Sequence, residues 1–266
     1  MSLRALTRAL TAVKNGVVHG WAESARALGL QEDLYANPQH LPLERPVTVL
    51  IIGAGHRGTV YANFAARYPA EMRVVAVADP NAHRRQRFAL LHQIAPENCF
   101  DGWEPALRRD RLADAVIIAT PDALRSGPCL RALDLGYDVL LEKPVAPTEA
   151  ECRAILARAK ATGRIVGVCH VLRYTPYFRE LKAILDQGLI GEVISVQHLE
   201  PIEHVHMSHS YVRGHWRNSA TTTPIVLAKS CHDTDIIRWL VGAPADNVHC
   251  FGNLKWFTNA NAPAGS

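Results

Sequence analysis

Val47-Thr48-Val49-Leu50-Ile51-Ile52-Gly53-Ala54-Gly55-His56-Arg57-Gly58 decides the fold. The first six residues are a nearly unbroken apolar run, the pattern of a parallel strand buried on both faces. The next six match G-x-G-x-x-G. Alone that pattern is weak, but here it is the turn between a strand and a helix that runs to about Arg67. In that context the glycines let backbone approach a pyrophosphate, which the helix N-terminus attracts.

Reading outward, strands and helices alternate. Strands are expected at residues 74–78, 115–119, 137–141 and 165–169. Helices are expected at 82–91, 126–135 and 148–162. This rhythm predicts a doubly wound parallel sheet of Rossmann type over residues 46–170. Residues 1–45 read as a helical extension and linker, with apolar spacing at Leu3, Leu6, Leu10 and Val13 and prolines at 38, 42 and 46. Beyond residue 170 the pattern changes to a helix at 178–187, strand-like alternation at 193–199, a helix at 229–240 and a further strand at 248–251. Residues 171–266 are therefore expected to form a smaller α+β substrate and oligomerisation domain. So few strands make an open, incomplete sheet, as in a truncated domain.

The 266 residues allow one large or two ordinary domains. The formal charge of +4 is dispersed, and no basic stripe with interleaved aromatics points to nucleic acid. Six scattered cysteines without a C-x-x-C pair argue against zinc and a disulfide framework. With no membrane-length apolar run and no leader-like segment at residues 1–10, a cytoplasmic location is expected.

Chemistry concentrates at strand ends. Asp79, 21 residues beyond Gly58, is placed to accept hydrogen bonds from adenosine ribose hydroxyls, which favours NAD over NADP. The competing reading makes it a helix cap before Pro80. Thr120-Pro121-Asp122 ends a third strand, either where the nicotinamide half of a dinucleotide crosses or as an ordinary helix-entry turn capped by Asp122. Glu142-Lys143-Pro144 closes the strand at 137–141 and puts a lysine at the ligand edge of the sheet. Further on, His232 and Asp235 share a helix face: either Asp235 fixes the imidazole tautomer of a general base, or His232 packs near Trp239 with Asp235 on the surface. His204, His206, His209 and His215 offer no paired carboxylate at helical spacing, so no metal is expected. With Tyr211, Arg213, Trp216 and Arg217 they suit a substrate pocket or a plain loop.

Glycine turn, Asp79, Thr120-Pro121, Glu142-Lys143-Pro144, Arg173-Tyr174, Gly188-Leu189-Ile190-Gly191 and His232-x-x-Asp235-x-x-x-Trp239-Leu240-x-Gly242 fall in one order. The series resembles the glucose–fructose oxidoreductase/inositol dehydrogenase (Gfo/Idh/MocA) family over residues 47–242. The resemblance implies hydride transfer between nicotinamide and a secondary alcohol of a sugar, cyclitol or glycoside. It implies Lys143 at the reacting oxygen and His232 as proton donor or acceptor. Cofactor contacts are then expected from Gly53, Gly55, His56, Arg57, Gly58, Asp79, Thr120, Pro121, Asp122, Glu142 and Lys143. Substrate contacts are expected from Tyr174, His209, Arg217, Lys229 and Asp235.

Two departures from the family pattern stand out. The aspartate usual four residues before the histidine is Ala228, with Lys229 beside it, and the histidine common after Thr-Pro is missing, with Arg125 nearby. Lys229 then suits an acidic substrate or an oxyanion. The expected partners are a small sugar or polyol and, through the second domain's sheet, a further copy of the chain. Two other outcomes keep the same fold: glycoside cleavage with NAD recycled, and a dinucleotide-binding regulator without catalysis. A methyltransferase shares the glycine turn but has no use for Glu142-Lys143-Pro144.

Overall fold

The computed structural model describes residues 43–108, 110–218 and 221–263. The helices expected within residues 1–45 lie outside them. The described chain divides at Ala183/Ile184 into two units.

The first unit is built on six parallel strands: β1 (Val47–Ile52), β2 (Met72–Ala78), β3 (Cys99–Phe100), β4 (Ala115–Ile118), β5 (Asp138–Leu141) and β6 (Val166–Val168). Their order is β3-β2-β1-β4-β5-β6. The order reverses between β1 and β4, which opens a crevice at the carboxyl ends of the strands. Helices α1 (His56–Arg67), α2 (Ala82–His92), α3 (Trp103–Ala106), α4 (Ser126–Asp134) and α5 (Glu149–Thr162) connect the strands, and α6 (Pro176–Asp186) runs across the unit boundary.

Both faces of the sheet are covered, which is why its strands read as continuous apolar runs. Side chains alternate along β1: Val49 and Ile51 pack with Tyr61, Phe64 and Phe88 of α1 and α2. Leu50 and Ile52 pack with Cys129, Leu133 and Ile155 of α4 and α5. Each fully buried aliphatic side chain contributes about 1.5–3 kcal/mol, so the central strands carry most of the unit's stability. The fifth helix has local determinants as well. Thr148 caps its N-terminus by accepting the Glu151 N–H, and Gly163 ends it in the left-handed conformation.

The register places the ends of five strands level. Ile52 pairs with Ala78 and with Ile118, Ile118 with Leu141, and Leu141 with Val168. The glycine turn, Asp79, Thr120, Lys143 and Cys169 all follow at that one edge. The third strand was missed in the sequence because two residues give no periodicity, and it exists only by pairing with Val77 and Ala78.

The second unit contains α7 (His204–Met207), a π turn at Ser208–Val212, α8 (Ile225–Ala228) and α9 (Cys231–Val241). The stretches 193–199 and 248–251, expected as strands, form no ladder among the described residues. Alternation prepares a strand, but pairing with a neighbour makes one, and neither stretch has such a neighbour here.

Candidate functional site

The glycine turn is shaped by steric necessity. Gly53 has φ +99°, and a Cβ there would stand 2.7 Å from the Ala119 carbonyl oxygen. A Cβ on Gly58 would lie 1.9 Å from the Gly53 oxygen, so α1 packs directly on the turn. A Cβ on Gly55 would meet nothing within 4 Å, leaving that side open. The helix has no side-chain cap and no acidic residue in its first turn. An open glycine beside uncapped helix N–H groups fits the pyrophosphate of a dinucleotide.

Asp79 braces this turn. Its Oδ2 accepts the Ala54 N–H and its Oδ1 the Asn81 N–H, both at 2.8 Å. The carboxylate is only 5% exposed. The cap of α2 is Asn81, which accepts the Arg84 N–H, rather than Asp79. A carboxylate oxygen has two lone pairs, so ribose binding by Asp79 is compatible with this brace.

Lys143 is held from both sides. On its amino side Glu142 is buried, with 3% of its side chain exposed. Arg57 Nε donates to Glu142 Oε1 at 2.6 Å, the Tyr61 hydroxyl donates to the same oxygen, and Oε2 accepts the Lys143 backbone N–H at 2.8 Å. Burial pushes the Glu142 pKa up, but the Arg57 charge and the hydrogen bonds from Tyr61 and Arg57 outweigh it, and the net displacement is downward. Burial drives the Tyr61 hydroxyl strongly upward and pushes the Cys169 thiol up as well. On the carboxyl side, Arg125 Nη1 donates to the Pro144 carbonyl at 2.6 Å and Nε to the Thr120 carbonyl at 3.1 Å. Arg125 is paired with Asp122 at 3.0 Å, both almost fully buried.

Asp122 and Glu142, expected at the cofactor, are both buried, and each is paired with an arginine. The cause is charge balance, since a guanidinium inside the fold requires a carboxylate beside it. Arg125, which the sequence only marked as standing near a missing histidine, is the link between the Thr120 and Lys143 loops. An arginine three residues after an aspartate was the available signal. His56 and Pro121 lie exposed at the crevice edge, Thr120 is half-buried, and Tyr174 follows β6 in a short 3-10 turn.

The remaining predicted residues belong to the second unit. His232 and Asp235 are half-buried on α9, and Ala228 ends α8 with its side chain buried. Lys229 Nζ lies 3.1 Å from Glu200 Oε1. His198 Nε2 lies 2.9 Å from Asp233 Oδ1, an imidazole–carboxylate pair that helix spacing did not reveal because His198 is remote in sequence. His198, Glu200 and Asp233 bring potential ligand atoms within 4.8 Å of one another, and the Lys229 ammonium already supplies a cation there. In the histidine-rich stretch, Tyr211 lies between His206 and Trp216. His209 contacts Ser210 at 3.4 Å, and Arg217 donates to the Gly214 carbonyl at 3.3 Å. Among the described residues no helix is long and apolar enough to cross a membrane.

Residues 47–170 match the family model described as "Oxidoreductase family, NAD-binding Rossmann fold", and residues 178–262 match "GFO/IDH/MocA C-terminal domain". The chain is 29% identical over 198 residues to inositol 2-dehydrogenase 1 of Saccharopolyspora erythraea, covering 74% of this chain and 55% of that protein. It is 27% identical over 223 residues to the NAD(+) scyllo-inositol 2-dehydrogenase of Bacillus subtilis, covering 80% and 59%. It therefore spans little more than half the length of these relatives. The crystal structure of myo-inositol 2-dehydrogenase from Lactobacillus plantarum superposes with a TM-score of 0.65 at 22% identity, covering 74% of this chain and 57% of that one. At that identity the likeness speaks for the fold alone.

Proposed function

From the premise that the chain belongs to the Gfo/Idh/MocA oxidoreductase family, with its NAD-binding Rossmann domain, we propose that it oxidises or reduces a secondary alcohol of a sugar, cyclitol or glycoside. The observation that carries this reading is Lys143. It stands at the carboxyl end of β5, level with the glycine turn, on a backbone pinned by Glu142 on one side and by Arg125 at Pro144 on the other. Such fixation is what electrostatic catalysis needs, because a preorganised charge costs no reorganisation when the oxyanion develops.

When bound, NAD supplies the hydride acceptor. Gly53, Gly55 and Gly58 keep the turn close to its pyrophosphate, and Asp79 receives the ribose hydroxyls, which disfavours a 2′-phosphate. In the oxidative direction Lys143 stabilises the alkoxide that forms at the reacting carbon. His232 accepts the hydroxyl proton. With Ala228 in place of the family's usual aspartate, Lys143 carries a larger share of this stabilisation. The inositol dehydrogenases among its relatives make cyclitols the first substrates to try.

The test is a panel of polyols, inositols and glycosides with NAD or NADP, followed by absorbance of the reduced nicotinamide and by release of the aglycone. Reduction of NAD by a polyol is the expected result. Activity confined to NADP would remove the role given to Asp79, and aglycone release without net NADH would replace simple oxidation with redox-neutral cleavage.

A further inference from the structure

We propose that Arg57 is a positioning residue that couples dinucleotide binding to Lys143, acting through Glu142. The inference rests on the dinucleotide-dependent reading above and adds a connection inside it. Arg57 is the second residue of α1 and so part of the glycine turn. Its guanidinium has two exposures at once. Inward, Nε donates to Glu142 Oε1 at 2.6 Å and Nη2 to the Tyr61 hydroxyl at 2.7 Å. Outward, 41% of the side chain is exposed, and Nη1 makes no hydrogen bond to any described residue.

Glu142 is the relay. One carboxylate oxygen takes Arg57 and Tyr61, and the other takes the Lys143 amide N–H at 2.8 Å. An anion arriving at the helix N-terminus finds the outward donors of Arg57 and draws on the charge that balances Glu142 inside. Guanidinium is planar and rigid, so an outward shift moves its inner donors too. Glu142 is buried and cannot turn to water for replacement bonds, so the adjustment passes to its remaining donors, Tyr61 and the Lys143 amide.

The contrast with Arg125 sharpens the assignment. Arg125 also holds the lysine loop, but it is 6% exposed and closed against Asp122, Thr120 and Pro144. It is a fixed brace. Of the two arginines, Arg57 alone reaches both the solvent-facing turn and the loop.

The experiment follows hydrogen exchange at the Lys143 amide in the full chain, with and without NADH, with NADH binding read by its own fluorescence. In the unaltered chain saturating NADH should slow exchange of this amide about tenfold. Arg57→Gln should weaken NADH binding by about tenfold, the scale of one hydrogen bond to a charged group. At saturating NADH the slowing at Lys143 should be gone. Arg57→Lys keeps the charge beside Glu142, so it guards against misfolding of the first variant; it should bind NADH nearly normally and still lose the slowing. If either folded variant retains the full NADH-linked change at saturation, the coupling is overturned. If the unaltered chain binds no NADH, the functional reading itself fails, a result distinct from NADH binding without the coupling.

Discussion

Strand β1 and the stretch 193–199 are both rich in branched apolar residues, yet only one becomes a strand. The first is paired on both edges, by β2 and β4, and its Val49 to Ile52 side chains are essentially excluded from water. The second has no ladder among the described residues, and Val193, Ile194, Val196 and Leu199 are exposed. The same contrast separates the units as wholes. The first has two buried clusters, one on each sheet face. In the second, Ala228 and Ile236 are the buried apolar residues among those described. Apolar content is thus no measure of core: backbone pairing organises side chains into faces, and faces are what bury area.

The sharpest way to break this contrast is to ask whether chemistry divides as stability does. Lys143 sits in the first unit and His232 in the second. If Lys143 is the oxyanion stabiliser, Lys143→Ala should lower turnover of an accepted polyol by about 10²–10³-fold. If His232 is the general base, His232→Ala should lower it by about 10²–10⁴-fold, with NADH affinity unchanged. Rates are to be measured at saturating NAD. A silent His232→Ala with a dead Lys143→Ala would confine the chemistry to the first unit and sink the base assignment.

A second test concerns packing. Leu141→Ala, at the end of the strand that leads to Lys143, should cost about 2–5 kcal/mol in denaturant unfolding, as large-to-small changes in a closed core do. Ile194→Ser, in the unpaired stretch, should stay within about 0.5 kcal/mol. A large loss at Ile194 would show that this stretch is covered in solution.

The same physics explains what the sequence made legible. The sheet was readable because its buried strands are continuous apolar runs bounded by helices. The site edge was readable because Gly53 and Asp79 follow their strands directly and Thr120 and Lys143 follow theirs after one residue. What stayed hidden depends on partners distant in sequence. The Glu142–Arg57 pair spans 85 residues and the His198–Asp233 pair 35. No local period encodes either. The buried Asp122–Arg125 pair was hidden in the same way: nothing in the sequence marks either residue as buried.

The smallest expected effect compares the charges of the two units in acid. Glu142 is buried, and its folded pKa is depressed below the ordinary 4.5, the Arg57 charge and the hydrogen bonds outweighing desolvation. In the window between those two values the unfolded chain binds more protons than the folded one, so stability rises with pH there. Glu142 therefore contributes stability that is complete above pH 4.5 and lost as pH falls through its folded value. Glu142→Gln should flatten the acid limb of a melting-temperature profile. In the second unit Glu200 and Lys229 form a partly exposed pair, whose Coulomb energy water and salt largely screen. Glu200→Gln should lower the melting temperature at neutral pH by less than Glu142→Gln does. Equal losses from both variants at neutral pH would mean that burial of Glu142 adds nothing, and that the network behind Lys143 is no stiffer than a surface ion pair.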